Sequence, residues 1–98
     1  MSTREIGQAA EEFFPQNKLR KSFVVQNENT TATCFVKKES RNALTVSATD
    51  HDHRLARETS LALNLINDGK EETQGRWTII SDAANTRISF FETEDIRR

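Results

Sequence analysis

The sequence predicts a single small α+β domain, in which an antiparallel sheet of about five strands carries a helix packed on one face. Three observations predict this fold class. Two segments place apolar residues at helical spacing, while other segments alternate apolar and polar residues as strands do. Polar turns rich in Asn, Asp, Ser and Gly separate the segments. The 98 residues are enough for one hydrophobic core and too few for two, so one domain spans residues 1–98 in the order α-β-β-β-α-β-β.

The first predicted element is a helix over residues 3–14. Apolar residues have helical spacing at Ile6, Ala9, Ala10, Phe13 and Phe14. Ser2 and Glu5 stand in the relation of a capping box, and Pro15 cannot continue a helix. We therefore expect a helix that begins near Ser2 and ends before Pro15.

Three strands are predicted next, over residues 22–26, 31–38 and 43–49. Apolar and polar residues alternate within them, and the polar connections are short, which indicates an antiparallel meander. Alternate residues of a strand share a face. We expect one face of the second and third strands to line the core, with Ala32, Cys34, Val36, Leu44, Val46 and Ala48.

A second helix is predicted over residues 52–67. An apolar stripe at helical spacing indicates it, and this stripe consists of Leu55, Leu61, Ala62, Leu65 and Ile66. Asp68 and Gly69 supply a C-terminal end, because Gly takes the left-handed conformation at little cost. We expect this helix to pack on the sheet.

The last two predicted strands cover residues 76–81 and 87–92. The segments RWTIIS and RISFFE are rich in β-branched and aromatic residues, and the polar segment DAANT connects them. They are therefore expected to pair as a hairpin, followed by a frayed tail over residues 93–98.

The stretch TDHDHRLARE, residues 49–58, contains both histidines of the chain and invites a search for a metal site. Residues two apart lie about 200° apart around a helix axis, so His51 and His53 would diverge in the predicted helix. A structural zinc site takes four ligands, and the chain has one cysteine to add. Thr49 and Asp52 instead match residues that cap a helix start. We expect no metal and no cofactor.

Signs of catalysis are weak. Cys34 lies on the face assigned to the core, where a thiol behaves as a small apolar group. No serine stands in a GxSxG setting, and the glycines at 7, 69 and 75 are too scattered to form a phosphate-binding loop. Paired carboxylates such as Glu11 and Glu12 lie in polar stretches typical of a solvated surface. The sequence therefore predicts a protein that is not an enzyme.

Composition favours a cytoplasmic protein. The formal charge of -1, from 14 basic and 15 acidic residues, gives no long-range attraction to phosphate or to a membrane. A lone cysteine cannot form an internal disulfide, and the start of the chain lacks the pattern of a signal peptide. No apolar run approaches the roughly 20 residues that span a bilayer, so no membrane is expected as a partner.

The sheet face opposite the core carries the most informative pattern. With Cys34 and Val36 inward, Phe35 and Lys37 point outward, and the last strand leaves an aromatic residue on this side in either register. Three interpretations are open. The N-terminal helix covers this face, or the face is a dimer or partner interface, or it stacks the bases of RNA or single-stranded DNA.

We therefore expect a small non-enzymatic binding protein that acts by stoichiometric protein-protein contact, as an adaptor or inhibitor of the kind that phages or plasmids encode, with a homodimer as one option. The residues expected to bind the partner are Phe35, Lys37, Arg41, Trp77, Arg87 and Phe91. The alternative is nucleic-acid binding through the same face, with Lys18, Arg20 and Lys21 as further contacts. The predicted element order is also similar in general terms to that of small α+β secretion chaperones, which implies chaperone-like protein binding as a second alternative.

Overall fold

The computed structural model describes residues 2–40 and 43–94, and these residues form eight strands and one helix. In chain order the elements are β1 Ser2–Ile6, β2 Glu11–Phe14, β3 Arg20–Asn27, β4 Cys34–Lys38, β5 His53–Leu55, β6 Ser60–Asn64, α1 Leu65–Gln74, β7 Trp77–Ser81 and β8 Thr86–Glu94. All the strand pairs among these elements are antiparallel.

The strands form two four-stranded sheets with matching strand orders. The first sheet has the order β1-β8-β3-β6, and the second has the order β2-β7-β4-β5. Strands that follow each other along the chain therefore occupy equivalent positions in the two sheets. The same two chain segments also remain paired from one sheet to the next. Ile6 of β1 lies opposite Thr86 of β8 in the first sheet, and Glu11 of β2 lies opposite Ile79 of β7 in the second. The molecule is thus a ribbon of four long strands, bent once at its middle into a two-layer sandwich.

The bend of the ribbon runs through four connections, at residues 7–10, 28–33, 56–59 and 82–85. Glu58 and Asn85 take left-handed backbone conformations there, with φ of 59° and 56°. The buried side chain of Asn27 joins two neighbouring connections, because its amide donates to the carbonyls of Ala32 at 2.8 Å and Ala56 at 3.4 Å, and also to that of Leu55 at the end of β5. These contacts fix where the ribbon turns from one sheet into the other.

One hydrophobic core fills the space between the sheets and takes side chains from every strand. Its buried members are Ile6, Phe13, Phe14, Phe23, Val25, Cys34, Val36, Leu55, Leu63, Trp77, Ile79 and Ile88. The ring centroid of Phe23 lies 4.7 Å from that of Phe14 and 5.8 Å from that of Trp77, distances typical of packed aromatic pairs. Because both sheets bury their inner faces in this one layer, they fold as a unit.

Helix α1 and the buried side chain of Arg20 close the sandwich at the end opposite the bend. The helix carries the chain from β6 in the first sheet to β7 in the second. The Arg20 guanidinium donates to the Glu92 carboxylate at 2.6 Å and to the carbonyls of Pro15, Thr73 and Gly75. A buried charge is tolerated only when its hydrogen bonds are satisfied. Arg20 therefore ties β3 to β8, to the connection between β2 and β3, and to the end of α1 before β7.

The predicted α+β class and antiparallel pairing are confirmed, but the single five-stranded sheet is wrong. The strands predicted over 22–26, 31–38, 76–81 and 87–92 correspond to β3, β4, β7 and β8. The first two do not pair as part of a meander and the last two do not pair as a hairpin, because the members of each pair lie in different sheets. Of the predicted tail, residues 93 and 94 extend β8, and residues 95–98 lie outside the described part of the chain.

The N-terminal helix predicted over residues 3–14 is wrong, because this segment forms β1 and β2. Ile6 and Phe13 both lie in the core, where the predicted helix would also have placed them. In the structure, however, they belong to two strands joined by a bend. Ser2 and Glu5 are exposed on β1, so no helix start exists there for them to cap. The segment covers no sheet face and instead forms one edge of both sheets.

The helix predicted over residues 52–67 is also wrong. These residues form β5 and β6, and the helix begins only at Leu65, after Asn64 caps its first turn. Of the predicted apolar stripe, Ala62 and Ile66 are exposed. Gly69 does not end the helix but interrupts it, with φ of 81°.

The third strand predicted over residues 43–49 is wrong, since residues 43–52 form a loop with one isolated bridge between Ser47 and Asp50. Val46 is buried, but Leu44 and Ala48, expected beside it in the core, are exposed. The loop lies against the outer face of the second sheet, so Val46 is buried from outside the sandwich.

Candidate interaction surface

The structure divides the predicted partner-binding residues among different places. Phe35 and Lys37 lie on the outer face of the second sheet, and Phe91 and Arg87 lie on the outer face of the first, on opposite sides of the sandwich. Trp77 is 2% exposed, in the core between the sheets. Arg41 lies outside the described residues. The single aromatic and basic face expected from the sequence is therefore not assembled.

Residues 43–52, which we call the covering loop, pack on the outer face of the second sheet. The ring centroid of His51 lies 4.8 Å from that of Phe35, which is 8% exposed. Lys37 Nζ donates to the Thr45 hydroxyl at 2.9 Å and to the Asp50 carboxylate at 2.7 Å. The hydrogen bond to Asp50 raises the pKa of Lys37 above its ordinary value, so the ammonium stays charged. Phe35 and Lys37 are thus engaged by the protein's own chain.

The buried carboxylate of Glu39 fastens the covering loop to the second sheet. It accepts hydrogen bonds from the Thr45 N–H at 2.8 Å and the Thr78 hydroxyl at 2.5 Å, and also from the Thr45 hydroxyl. Burial by itself raises the pKa of Glu39, but these hydrogen bonds and the nearby Lys37 ammonium outweigh burial and leave the pKa below its ordinary value. Glu39 is therefore ionised at neutral pH, with a structural role.

The basic residues considered as nucleic-acid contacts also differ in position. Arg20 is fully buried, and its guanidinium is occupied by Glu92 and by backbone carbonyls. It has no exposed surface with which to contact a phosphate. Lys18 and Lys21 are exposed on either side of it. Sequence alone could not separate the three, because a basic residue in a polar segment looks the same whether it is solvated or buried.

The outer face of the first sheet carries three rows of uncharged side chains across β8, β3 and β6. We call these residues the uncharged face: Ser89, Gln26 and Ser60 in one row, Phe91, Val24 and Ala62 in the next, and Thr93, Ser22 and Asn64 in the third. Phe91 is 40% exposed and Ala62 is exposed as well, whereas Val24 is half-buried and Ser89 is buried. Apolar side chains rimmed by hydroxyl and amide groups are typical of protein contact surfaces.

Among the strands that the structure describes, β6 forms an edge of the first sheet, next to the uncharged face. The Thr59 carbonyl points toward β3, because it accepts from the Asn27 N–H. The Asn64 N–H points away from β3, because it donates to the Asp68 carboxylate. The direction of backbone groups alternates along a strand. Ser60 and Ala62 therefore point their N–H and C=O groups away from the sheet. Such an edge can accept a further strand.

Among the edge strands β1, β2, β5 and β6, only β6 has no charged residue. β1 contains Arg4 and Glu5, β2 contains Glu11 and Glu12, and β5 contains Arg54. Charged side chains on an edge strand discourage pairing with another chain. The sequence SLALN of β6 lacks this protection.

Sequence reasoning missed the β6 edge because it assigned residues 60–64 to a helix. A signal was present, since Leu61 and Leu63 alternate with Ser60, Ala62 and Asn64 as in a strand. The alternation of the last strand did predict an aromatic residue on an outer face, and Phe91 lies there.

The groups considered for catalysis or metal binding are dispersed. Burial raises the pKa of the Cys34 thiol to about 11, so it is neutral at physiological pH. His51 packs on Phe35, whereas the His53 ring lies 5.7 Å from that of Trp77. Within residues 2–40 and 43–94, no group of three or more His, Cys, Asp or Glu side chains is placed to hold a metal ion.

An open groove of about 1160 Å³ lies at the end of the sandwich that α1 closes. Charges of both signs line it, including those of Lys18, Lys38, Lys70, Glu12, Glu39, Glu71 and Arg76. Arg76 pairs with Glu12 at 2.6 Å, and Lys38 pairs with Glu72 at 3.1 Å. Because the charges are mixed and partly paired within the chain, the groove favours neither an anion nor a cation.

No protein-family model, curated protein or solved structure matches this chain. No helix in the described part of the chain is both long enough and apolar enough to cross a membrane. The similarity in element order to secretion chaperones loses its basis, because the observed order differs from the predicted one. The uncharged face and the β6 edge are the features on which a function can be argued.

Proposed function

We propose that this chain is a non-enzymatic binding protein of the adaptor or inhibitor type, which acts by stoichiometric contact of its uncharged face with another protein. The observation that carries the proposal is the row of Phe91, Val24 and Ala62, which leaves apolar surface exposed on a sheet that no segment within residues 2–40 and 43–94 covers as the covering loop covers the second sheet. Exposed apolar surface of this kind is favourable only when a partner buries it.

Phe91 is the proposed anchor of the contact. Its ring is large, partly exposed and flanked by Val24, while the hydroxyls of Ser22 and Thr93 lie beside it, 2.6 Å from each other. Aromatic side chains surrounded by small polar groups often dominate the energy of protein interfaces. The partner surface that fits this face is uncharged, with an apolar group opposite Phe91, because a charged group would lose its hydration there without an ion pair.

Nucleic-acid binding remains the alternative function, and its requirements differ. Phosphate groups need Lys or Arg, and none of the nine side chains of the uncharged face is basic. Arg87, at the margin of this face, pairs with Glu28 at 3.5 Å. Phosphate contacts would depend on exposed lysines such as Lys18 and Lys21, which would make binding fall steeply with salt.

The proposal can be tested by capture of proteins from a lysate of the source cells with nuclease added, comparing the wild type with Phe91→Ser. We expect a defined protein to be retained by the wild type at a fixed stoichiometry and to be reduced at least tenfold with Phe91→Ser, which corresponds to a loss of about 1.4 kcal/mol. Increasing salt should change retention little, because the contact is uncharged.

The matched control is Ile66→Ser, which removes another exposed apolar side chain, from the first turn of α1. Ile66 is 92% exposed. Because Ile66 is not among the nine residues of the uncharged face, this variant should retain the partner as the wild type does. Equal retention by Phe91→Ser would refute the proposal. Loss of all binding with nuclease would favour the nucleic-acid alternative.

A further inference from the structure

We infer that the β6 edge binds the β6 edge of a second copy of this chain, in antiparallel register about a two-fold axis. This inference goes beyond the proposed function, because it concerns the free edge of the first sheet and does not depend on Phe91 as an anchor. In such a dimer, the four-stranded first sheet of one copy and that of the other would form one continuous sheet.

The sequence of β6 is nearly symmetric about Ala62. Leu61 and Leu63 flank it, and Ser60 and Asn64 follow on either side. In a two-fold antiparallel pair centred on Ala62, each leucine therefore lies opposite a leucine, and Ser60 lies opposite Asn64 of the second copy. Like-with-like pairing of apolar and polar side chains stabilises neighbouring strands. A self-complementary strand is what a two-fold contact requires.

The backbone of Ala62 is oriented for this register. Its N–H and C=O groups point away from β3, as the contacts of Asn27 with Thr59 and of Asn64 with Asp68 require. Two copies of Ala62 placed opposite each other would therefore exchange both hydrogen bonds. The exposed methyl group of Ala62 lies on the uncharged face, where it leaves room for its counterpart.

The charges next to β6 are compatible with this pairing. Arg57 and Glu58 precede the strand, and Asp68 and Lys70 follow it. A two-fold axis would bring the start of one β6 to the end of the other, so that opposite charges could pair across the contact. Because the Asn64 N–H is held by the Asp68 carboxylate at 2.9 Å, the backbone hydrogen bonds expected across the axis are those of Ala62.

The expected dimer is weak. β6 has five residues and so spans about 17 Å. One short strand pair buries less than the roughly 800 Å² per partner of a standard interface, so its formation should depend on concentration.

The test is the mass in solution, measured by sedimentation equilibrium between about 1 µM and about 1 mM, the range in which weak complexes form. The wild type should shift from the 11.2 kDa of one chain toward twice that mass. Ala62→Lys should weaken the dimer at least tenfold, because it places two like charges directly opposite each other. An equimolar mixture of Ala62→Lys and Ala62→Glu should restore it.

The matched control is Gln26→Lys, which adds the same charge to the uncharged face on β3 rather than on the edge strand; it should dimerise as the wild type does. Circular dichroism establishes that each variant folds. Independently of any variant, the Ala62 amide of the wild type should exchange its hydrogen more slowly as protein concentration rises.

A wild type that stays at 11.2 kDa throughout, or an Ala62→Lys variant that dimerises like the wild type, would overturn the inference. A mixture of the two oppositely charged variants that stays monomeric would overturn the register centred on Ala62. Because Phe91 is not part of β6, a monomeric wild type that still retains a protein through Phe91 would refute the dimer and leave the proposed function standing.

Discussion

The two outer faces of the sandwich are built from similar alternating strands, yet within the described part of the chain one is covered and the other is open. On the second sheet, the covering loop places His51 against Phe35 and holds Lys37 by hydrogen bonds. On the first sheet, Phe91 remains 40% exposed in a row of uncharged side chains. Alternation along a strand decides which side chains point outward. The segments between strands decide whether those side chains are covered by the chain itself or are left for a partner.

The largest effect that separates the two faces is expected for Phe35→Ala. Because Phe35 is covered by His51 and the loop, its removal should leave a cavity and lower the free energy of unfolding by about 3 kcal/mol, as for a core phenylalanine. Urea denaturation followed by tryptophan fluorescence measures this difference. If Phe35→Ala lowered the free energy of unfolding no more than Phe91→Ser does, the loop would not bury Phe35.

Removal of the Glu39 carboxylate should detach the covering loop. In Glu39→Ala the Thr45 N–H loses its acceptor and the Thr78 hydroxyl keeps only the Lys37 carbonyl at 3.2 Å, which should lower the free energy of unfolding by about 2 kcal/mol. Urea denaturation gives the value. The control is Glu12→Ala, which removes a half-exposed carboxylate from the edge of the same sheet and should cost less than about 1 kcal/mol. Equal losses would contradict the fastening role of Glu39.

The same carboxylate should make the closed face sensitive to acid. Its pKa in the folded protein lies below the ordinary value of 4.5, so its stabilising effect is fully present above pH 4.5 and is lost as the pH falls through the folded-state pKa. The free energy of unfolding, measured from neutral pH to about pH 3, should fall more steeply for the wild type than for Glu39→Gln, which cannot titrate. Parallel curves would show that Glu39 ionisation does not hold the loop.

The smallest effect on stability is expected for Phe91→Ser. Since the Phe91 ring is already partly in water, the free energy of unfolding should fall by no more than about 1 kcal/mol, although binding of the partner is lost. The same urea denaturation measures it. A loss as large as that for Phe35→Ala would make Phe91 a core residue and would remove the contrast between the two faces.

The sequence predicted β3, β4, β7 and β8 because the apolar residues of each strand alternate within one sheet. It failed for β1 with β2 and for β5 with β6, where the ribbon bends between two short strands. Ile6 and Phe13 are seven residues apart, as are Leu55 and Ala62, a spacing that also places residues on one face of a helix. A periodicity in the sequence does not show that the chain has passed from one sheet to another.

The candidate surface was partly predictable, because the alternation of side chains along a strand shows which of them point outward. The alternation of the last strand placed an aromatic residue outward, and Phe91 is that residue. The burial of Arg20 and Trp77 could not be predicted, because it depends on how the two layers meet at the end of the sandwich. The β6 edge was hidden by the incorrect helix.

The position of β8 in the first sheet has a consequence for synthesis of the protein. β8 lies between β1 and β3, although it comes last among the described strands. On the ribosome, β3 and β6 can pair as soon as both have emerged, but β1 has no neighbour until residues 86–90 are translated. A nascent chain therefore carries β1 without its partner strand until residues 86–90 have been made, and the first sheet is completed only once β8 is inserted between strands made long before it.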